Sequence, residues 1–218
     1  MDNLIVAPST DPIKNVSEII EYARSLQHCA DFLHCDIMDG KFVENKTYTY
    51  KGLKEVNQRT TMPLDVHLMV ESPSKCIKDY LLAGANILTI HFEAYKNKKL
   101  LVRDLKYIRK KKALAGLSIK PSTLVADILP YLCFVDVILV MSVEPGKSGQ
   151  EFIEDIYKKI VELSKVKNDY KLDIKIEVDG GITPPISQKL KMFGADMVVS
   201  GSYVFNSDNK ELAIDELR

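Results

Sequence analysis

The feature that most constrains the fold is a regular alternation of short apolar runs with longer amphipathic segments along the whole chain. Apolar runs of strand length alternate with stretches of helical periodicity. The predicted strands are Leu4–Ala7, Phe32–Asp36, Leu64–Met69, Ile87–His91, Ala115–Ile119, Val135–Met141, Ile174–Asp179 and Met197–Ser200. The predicted helices are Ile13–Leu26, Tyr50–Gln58, Pro73–Ala83, Lys98–Lys112, Leu124–Tyr131, Ile153–Asn168, Pro184–Phe193 and Lys210–Leu217.

Eight strand–helix units predict an α/β protein with a (β/α)8 barrel, a TIM barrel, formed as a single domain over residues 1–218. A doubly wound open sheet is the alternative, but eight regular units in 218 residues fit barrel closure better. Gly84 and Gly194 each fall between a predicted helix and the next strand, where glycine readily takes the left-handed conformation. We therefore expect both glycines to end helices.

The overall composition disfavours several classes of partner. Thirty basic residues balance thirty acidic ones, so no global field attracts nucleic acid or an anionic membrane. No stretch approaches the roughly 18 apolar residues of a membrane span, and the first residues lack the basic region of a signal peptide. The 4 cysteines show no paired spacing, which indicates free thiols in a cytoplasmic protein.

Polar residues cluster where the predicted strands end, and the carboxyl ends of strands carry the chemistry in (β/α)8 barrels. His34 and Asp36 lie two residues apart on the second strand and share a face. His67 lies near the end of the third strand and Asp179 at the end of the seventh. Two imidazoles and two carboxylates suit zinc, iron(II) or manganese better than calcium or magnesium. Four unrelated hydrogen-bonded core residues are the alternative, which the cost of burying unpaired polar groups disfavours.

Methionines and glycines also occur at these strand ends. Met38, Met69 and Met141 are either core filler or a dry lid over a reactive intermediate. Three glycine-bearing loops fall near the last strands, where backbone N–H groups approach an anion closely and barrels often bind phosphate. These loops are Pro145–Gly149, Asp179–Gly181 and Gly201–Ser202. Phosphate binding is the favoured interpretation, with ordinary turns as the alternative.

Six segments of the sequence, taken in order, form a highly specific set. They are Ile5–Ser9, His34–Asn45, Leu64–Val70, Met141–Gly146, Glu177–Ile182 and Gly201–Phe205. With these segments the chain resembles the ribulose-phosphate 3-epimerase family over essentially its full length. The resemblance implies a metal-dependent isomerase that interconverts D-ribulose 5-phosphate and D-xylulose 5-phosphate in the pentose phosphate pathway, built as a homo-oligomer, either a dimer or a hexamer.

The resemblance also implies roles for individual residues. His34, Asp36, His67 and Asp179 match the ligands of one divalent metal ion. Asp36 and Asp179 match the acid/base pair that acts at C3 through a metal-stabilised enediolate. The implied substrate contacts are Ser9, His67, Met38, Met69, Met141, Gly146, Lys147, Ser148, Gly149, Gly180, Gly181, Gly201 and Ser202. Structural roles explain His91 and Glu177 best, although Glu177 is also placed to support a metal ligand.

Two departures from the family pattern bear on the substrate. Thr10-Asp11-Pro12 follows Ser9, where the family usually has an apolar pair, a small residue and an aspartate. Lys147 and Ser148 stand where the family usually has an aromatic residue and a glycine. These changes leave open an epimerase of another ketose phosphate, such as allulose 6-phosphate. A non-catalytic phosphosugar-binding barrel is the alternative of a different class, and the presence of all four metal positions disfavours it.

Overall fold

The computed structural model describes residues 3–218, and within that range eight parallel strands alternate with helices. The strands are β1 (Ile5–Pro8), β2 (Leu33–Met38), β3 (Leu64–Met69), β4 (Ala85–His91), β5 (Leu114–Ile119), β6 (Val137–Met141), β7 (Lys175–Asp179) and β8 (Met197–Ser200). The α-helices are α1 (Val16–Leu26), α2 (Tyr50–Arg59), α3 (Ile77–Leu82), α4 (Lys98–Lys110), α5 (Val125–Ile128), α6 (Ile156–Asp169), α7 (Pro184–Phe193), α8 (Ser202–Asn206) and α9 (Lys210–Asp215). Three 3₁₀ segments add Pro73–Lys75, Phe92–Ala94 and Leu129–Phe134.

The strands form a ring that is nearly closed. Consecutive strands pair in parallel from β2 to β8, and β8 pairs with β1. β1 and β2 share no ladder in the described residues. A parallel bridge joins Ser9 to His34, the Thr10 amide donates to the His34 carbonyl at 2.9 Å, and the Asp31 amide, just before β2, donates to the Val6 carbonyl at 3.1 Å. We call this junction, within the described residues, the β1–β2 seam. The prediction of a (β/α)8 barrel is confirmed, and the open doubly wound sheet is excluded.

The alternation of side chains along each strand divides the interior into two environments. Residues that face outward, such as Val6, Cys35 and Val66, pack beneath the helices in the main apolar core. Ile87, Val137 and Met197 form a separate buried apolar cluster. Farther along the strands the buried residues are polar: His34, Asp36, Asp65, His67, Thr89, His91, Ser118 and Glu177. Parallel strands end at the same edge of a barrel, so these polar side chains converge there.

Local capping chemistry sets several boundaries of the elements. The Asn15 side chain accepts a hydrogen bond from the Glu18 amide at 2.9 Å, so α1 begins at Val16, three residues later than predicted. Gly194 ends α7 with φ 101°, and Gly84 precedes β4 with φ 110°. Both predictions of left-handed glycines are confirmed. No helix within residues 3–218 combines the length and apolar character needed to cross a membrane.

Three segments differ from the predicted elements. The predicted helix from Pro73 is a 3₁₀ turn followed by the short α3, and the two are separated at Cys76. The predicted helix Leu124–Tyr131 continues beyond Ile128 only as a 3₁₀ segment, because Pro130 has no N–H to donate. The five residues of α8 were not predicted as a helix, since a single buried residue, Val204, leaves no periodic pattern.

Candidate active site

The register of the strands brings the four predicted metal ligands together at one end of the barrel. Asp36 of β2 is level with His67 of β3, and His34 projects from the same face of β2. Asp179 ends β7 on the other side of the interior. One donor atom from each of the four residues lies within 4.8 Å of all the others. The predicted cluster therefore exists as a geometric unit.

The two imidazoles aim unpaired nitrogens at the two carboxylates. Asp36 Oδ1 lies 3.5 Å from His34 Nε2 and 3.4 Å from His67 Nδ1. Asp179 Oδ2 lies 4.0 Å from each of the same nitrogens. Both nitrogens are buried and have no hydrogen-bond partner within residues 3–218. Buried polar atoms without partners are costly, so two free nitrogens facing two carboxylates fit a divalent transition-metal ion.

The same surroundings move the pKa values of the two aspartates in opposite directions. Burial raises the pKa of Asp36, but the His34 and His67 rings outweigh it and hold that pKa well below its usual range. Burial, followed by the charge of Asp36, raises the pKa of Asp179 to about 8. Burial alone would lower the pKa of His34, but the carboxylates of Asp65 and Asp36 raise it well above its usual range. One carboxylate is thus ionised while its neighbour holds a proton at neutral pH.

Hydroxyl groups fix both aspartates from behind. Ser9 Oγ donates to Asp36 Oδ2 at 2.6 Å across the β1–β2 seam, and Thr47 Oγ1 donates to the Asp36 carbonyl at 2.8 Å. The hydroxyl and the amide of Ser142 both donate to the Asp179 carbonyl at 2.8 Å. These contacts hold the ends of β2 and β7, so the carboxylates are held in place by neighbouring backbone and side chains.

Further buried carboxyl groups lie behind the histidines. His34 Nδ1 is 2.5 Å from Asp65 Oδ2 and 3.9 Å from Glu177 Oε1. Neither oxygen of Glu177 has a hydrogen-bond partner in the described part of the chain, and burial followed by the charge of Asp65 raises the Glu177 pKa well above its usual range. Asp65 was not among the predicted site residues, although its spacing of two from His67 is the same signal that joins His34 to Asp36.

A chain of two further residues lies behind His67, beginning with His91, to which the sequence analysis gave a structural role. His67 Nε2 lies 2.8 Å from His91 Nε2, and His91 Nδ1 lies 3.0 Å from Glu93 Oε2. Burial lowers the pKa of His91 to about 4. We call His67, His91 and Glu93 the histidine relay. Only the alignment of β3 with β4 places His91 behind His67, so spacing within one strand did not reveal it.

A cavity opens directly above the four-residue cluster. It is lined by every predicted substrate contact except His67, which lies beneath it: Ser9, Met38, Met69, Met141, Gly146, Lys147, Ser148, Gly149, Gly180, Gly181, Gly201 and Ser202. The three methionines are buried at its wall. The cavity therefore joins an apolar wall and the glycine-bearing loops to the carboxylates of Asp36 and Asp179.

The glycine loops bring backbone close to this cavity. Gly180 and Gly181 take φ values of 120° and 63°, in the left-handed region that favours glycine. Gly180, Gly181 and Gly201 all line the cavity. A Cβ on Gly180 would lie 2.5 Å from Val143 Cγ2, so only glycine permits this close turn. Glycine-rich turns at a pocket let backbone N–H groups approach an anion such as phosphate closely.

The two departures from the family pattern both reach the cavity. Asp11 lines it, and burial followed by the charge of Asp36 raises the Asp11 pKa to about 6. Lys147 also lines it, but its side chain is 67% exposed and its Nζ lies 3.7 Å from Glu44 Oε2. The chain thus adds a carboxyl group and an ammonium group to the rim of the site.

Fold and site together define a class of protein. Eight parallel strands in a barrel carry a buried cluster of two histidines and two carboxylates, beneath a cavity lined by glycine loops. This arrangement is that of a (β/α)8-barrel enzyme with its chemistry at the carboxyl ends of the strands. A family model described as "Ribulose-phosphate 3 epimerase family" matches residues 5–205. The chain belongs to the ribulose-phosphate 3-epimerase family and is an epimerase of the isomerase class.

Curated relatives support this assignment over most of the chain. The ribulose-phosphate 3-epimerase of Aquifex aeolicus is 38% identical over 87% of this chain and 84% of its own length. The Synechocystis sp. protein of the same name is 38% identical over 99% of this chain and 94% of its own length. The chloroplastic ribulose-5-phosphate-3-epimerase of Arabidopsis thaliana is 36% identical over 99% of this chain and 76% of its own length. A crystal structure of 3-hexulose-6-phosphate synthase has a TM-score of 0.72 at 12% identity, covering 98% of each chain, which shows a shared fold.

Proposed function

We propose that this protein interconverts D-ribulose 5-phosphate and D-xylulose 5-phosphate with one divalent metal ion, either zinc, iron(II) or manganese. The observation that carries the proposal is the pair Asp36 and Asp179, which share one cluster with His34 and His67 but have oppositely shifted pKa values. Family membership supports the sugar phosphate, since the similar proteins carry this activity in their names.

The reaction inverts a carbon next to a ketone and needs a base on one face and an acid on the other. Ionised Asp36 takes the proton from C3, and the electron pair moves into an enediolate. Protonated Asp179 delivers a proton to the opposite face of C3, and the two carboxyl groups then exchange protons with water. The metal ion, when bound by His34, Asp36, His67 and Asp179, supplies Lewis-acid stabilisation of the negative charge on the substrate oxygens.

The lining residues divide the remaining work. Backbone N–H groups of Gly180, Gly181 and Gly201 hold the phosphate, with those of the Gly146–Gly149 loop and of Ser202. Ser9 contacts the sugar. The side chains of Met38, Met69 and Met141 exclude water from the enediolate, which lowers the local dielectric and protects the intermediate from competing reactions.

The test is proton exchange in D₂O. The protein is incubated with D-ribulose 5-phosphate and, separately, with allulose 6-phosphate, with and without a chelator, and deuterium at C3 is followed by NMR. We expect exchange and epimer formation with the pentose, and their loss with chelator. Preference for the hexose would mean that Asp11, Lys147 and Ser148 redirect specificity. No exchange with either sugar after adding zinc, iron(II) or manganese would replace the proposal with a binding protein.

Substitution of the two aspartates tests the acid/base roles. Asp36→Asn and Asp179→Asn each remove one proton carrier while keeping the size of the side chain, so we expect turnover to fall by about 10²- to 10⁴-fold. Asp173→Asn is the matched control, because Asp173 is exposed just before β7. Near-full turnover by Asp179→Asn would rule out the two-base scheme.

A further inference from the structure

The direction of the hydrogen bonds in the histidine relay follows from its outer end. Glu93 Oε1 accepts from the Lys120 amide at 2.8 Å and from Thr123 Oγ1 at 2.5 Å. Burial raises the pKa of Glu93, but hydrogen bonds and the His91 ring outweigh it and lower that pKa to about 2. Glu93 is therefore a carboxylate that accepts hydrogen bonds and donates none.

The remaining protons are assigned step by step from Glu93 inward. Because Glu93 Oε2 only accepts, His91 Nδ1 carries a proton and donates to it. The other nitrogen of a neutral His91 then has a lone pair, and it lies 2.8 Å from His67 Nε2. His67 Nε2 must carry the proton between these rings, which leaves a lone pair on His67 Nδ1. That nitrogen faces Asp36 and Asp179.

We propose that His91 and Glu93 are positioning residues that fix the tautomer of His67, so that its Nδ1 lone pair faces the metal site. The proposal rests on metal binding by the proposed active site. It adds two residues that are not ligands: His91, which contacts the ligand His67, and Glu93, which contacts His91. Hydrogen-bond partners behind a ligating histidine commonly set its orientation and basicity.

Aromatic rings cover both sides of the His91 side chain. Its side chain is fully buried between the His67 ring, at a centroid distance of 4.9 Å, and the Phe42 ring, at 4.7 Å. Lys120 Nζ lies 4.9 Å from the centroid of the Phe42 ring. Glu93 is 21% exposed, whereas the rings of His91 and His67 are fully buried. A hydrogen bond lost between the two rings is therefore not replaced by bulk solvent, and a change in the His91 tautomer reaches His67.

The first experiment determines the tautomers directly. The chain has 4 histidines, one of them the exposed His28, so long-range ¹H–¹⁵N correlation spectra of the metal-free protein are assignable by single substitutions. We expect the proton of His67 on Nε2 and the proton of His91 on Nδ1. A wild-type spectrum with the His67 proton on Nδ1 would overturn the proposal, whatever the enzyme's activity.

The second experiment measures zinc affinity by competition with a chromophoric chelator. Glu93→Gln cannot accept from both sides, because its amide group places a donor either against His91 or against the Lys120 amide. His91→Leu removes both hydrogen bonds, whereas the amide of His91→Gln can accept from His67 and donate to Glu93. We expect zinc affinity to fall by about 10- to 100-fold in Glu93→Gln and His91→Leu, with most of it retained in His91→Gln.

Glu55→Gln is the matched control, because Glu55 is exposed on α2 and pairs only with Arg59. Circular dichroism establishes that each variant folds, and the wild-type tautomers decide the question if a variant does not. Wild-type affinity in folded Glu93→Gln and His91→Leu would overturn the positioning role while leaving the proposed function intact. A wild-type protein that binds no zinc, iron(II) or manganese would count against the proposed function, and the tautomer measurement would still decide the inference.

Discussion

At the scale of single residues, Asp179 combines its proposed role as the acid with a cost to the fold. Its folded-state pKa of about 8 lies far above the ordinary value of 3.8, because the carboxyl is buried beside Asp36. The fold therefore prefers the protonated form, and the contribution of this group to stability is complete below about pH 4 and is lost as the pH rises through 8. Residues placed for catalysis often reduce stability in this way.

The raised pKa of Asp179 predicts that Asp179→Asn stabilises the metal-free protein even though we expect it to remove turnover. Relative to wild type, the variant should gain up to about 1.4 kcal/mol per pH unit between pH 4 and 8. Urea denaturation of chelator-treated proteins at several pH values measures the difference, with Asp173→Asn as the control. Added zinc should stabilise wild type more than the variant, which keeps three of the four proposed ligands. A difference that does not vary with pH would contradict the raised pKa.

At the scale of elements, two loops close over the site and hold each other. Asn45 Nδ2, in the loop after β2, donates to the Gly146 carbonyl in the loop after β6 at 2.7 Å. The Gln150 side chain donates to the carbonyls of Glu144 and Lys147, so it connects the two ends of the loop after β6. This geometry keeps the Gly146–Gly149 segment in the shape that we propose holds phosphate.

We predict that Asn45→Ala raises the KM for the sugar phosphate about 5-fold and leaves kcat within twofold, because losing a hydrogen bond worth about 1 kcal/mol loosens the loop but not the catalytic groups. Steady-state kinetics with the purified enzyme measure both constants. Glu44→Gln is the adjacent control. Glu44 pairs with Lys147, but the Glu44 side chain is 89% exposed, and such exposed ion pairs contribute little to stability. An unchanged KM in Asn45→Ala would mean that the loop holds its shape without this bond.

At the scale of the whole molecule, the barrel is weakest at the β1–β2 seam. The other neighbouring strands share ladders of several residue pairs, whereas this junction has the single bridge between Ser9 and His34. The hydrogen bond from Ser9 to Asp36 also crosses it, so a residue of the proposed metal site strengthens the seam. A metal ion bound by the four proposed ligands, which lie on β2, β3 and β7, would restrain the β2 side of the seam.

Hydrogen exchange tests this view of the barrel. In the metal-free protein, the amides of Thr10 and Asp31, which bond across the seam to His34 and Val6, should exchange faster than those of β3. Zinc should slow the seam amides more than the amides of β5, which holds none of the proposed ligands. Mass spectrometry of exchanged peptides gives both comparisons. Seam amides that exchange no faster than the β3 core, with or without zinc, would contradict a weak junction.

Much of this architecture follows from local patterns in the chain. Eight short apolar runs between helical patterns predicted the strands, and placing His34 and Asp36 on one face required only the period of two along a strand. Boundaries were less predictable, since Asn15 and Pro130 act through single hydrogen bonds that periodicity does not record. The helix α8 escaped prediction because five residues are too few to show a repeat.

By itself, then, the sequence determined the class of fold, the four candidate ligands and the glycine loops, because these depend on residue type and short-range spacing. Only the tertiary structure decided which groups stand behind them. Asp65 reaches His34, and His91 with Glu93 reaches His67, through the register between neighbouring strands. The opposite pKa shifts of Asp36 and Asp179 depend on burial and on charges from distant segments. Such effects arise when the ring of strands assembles, so no local stretch of the sequence contains them.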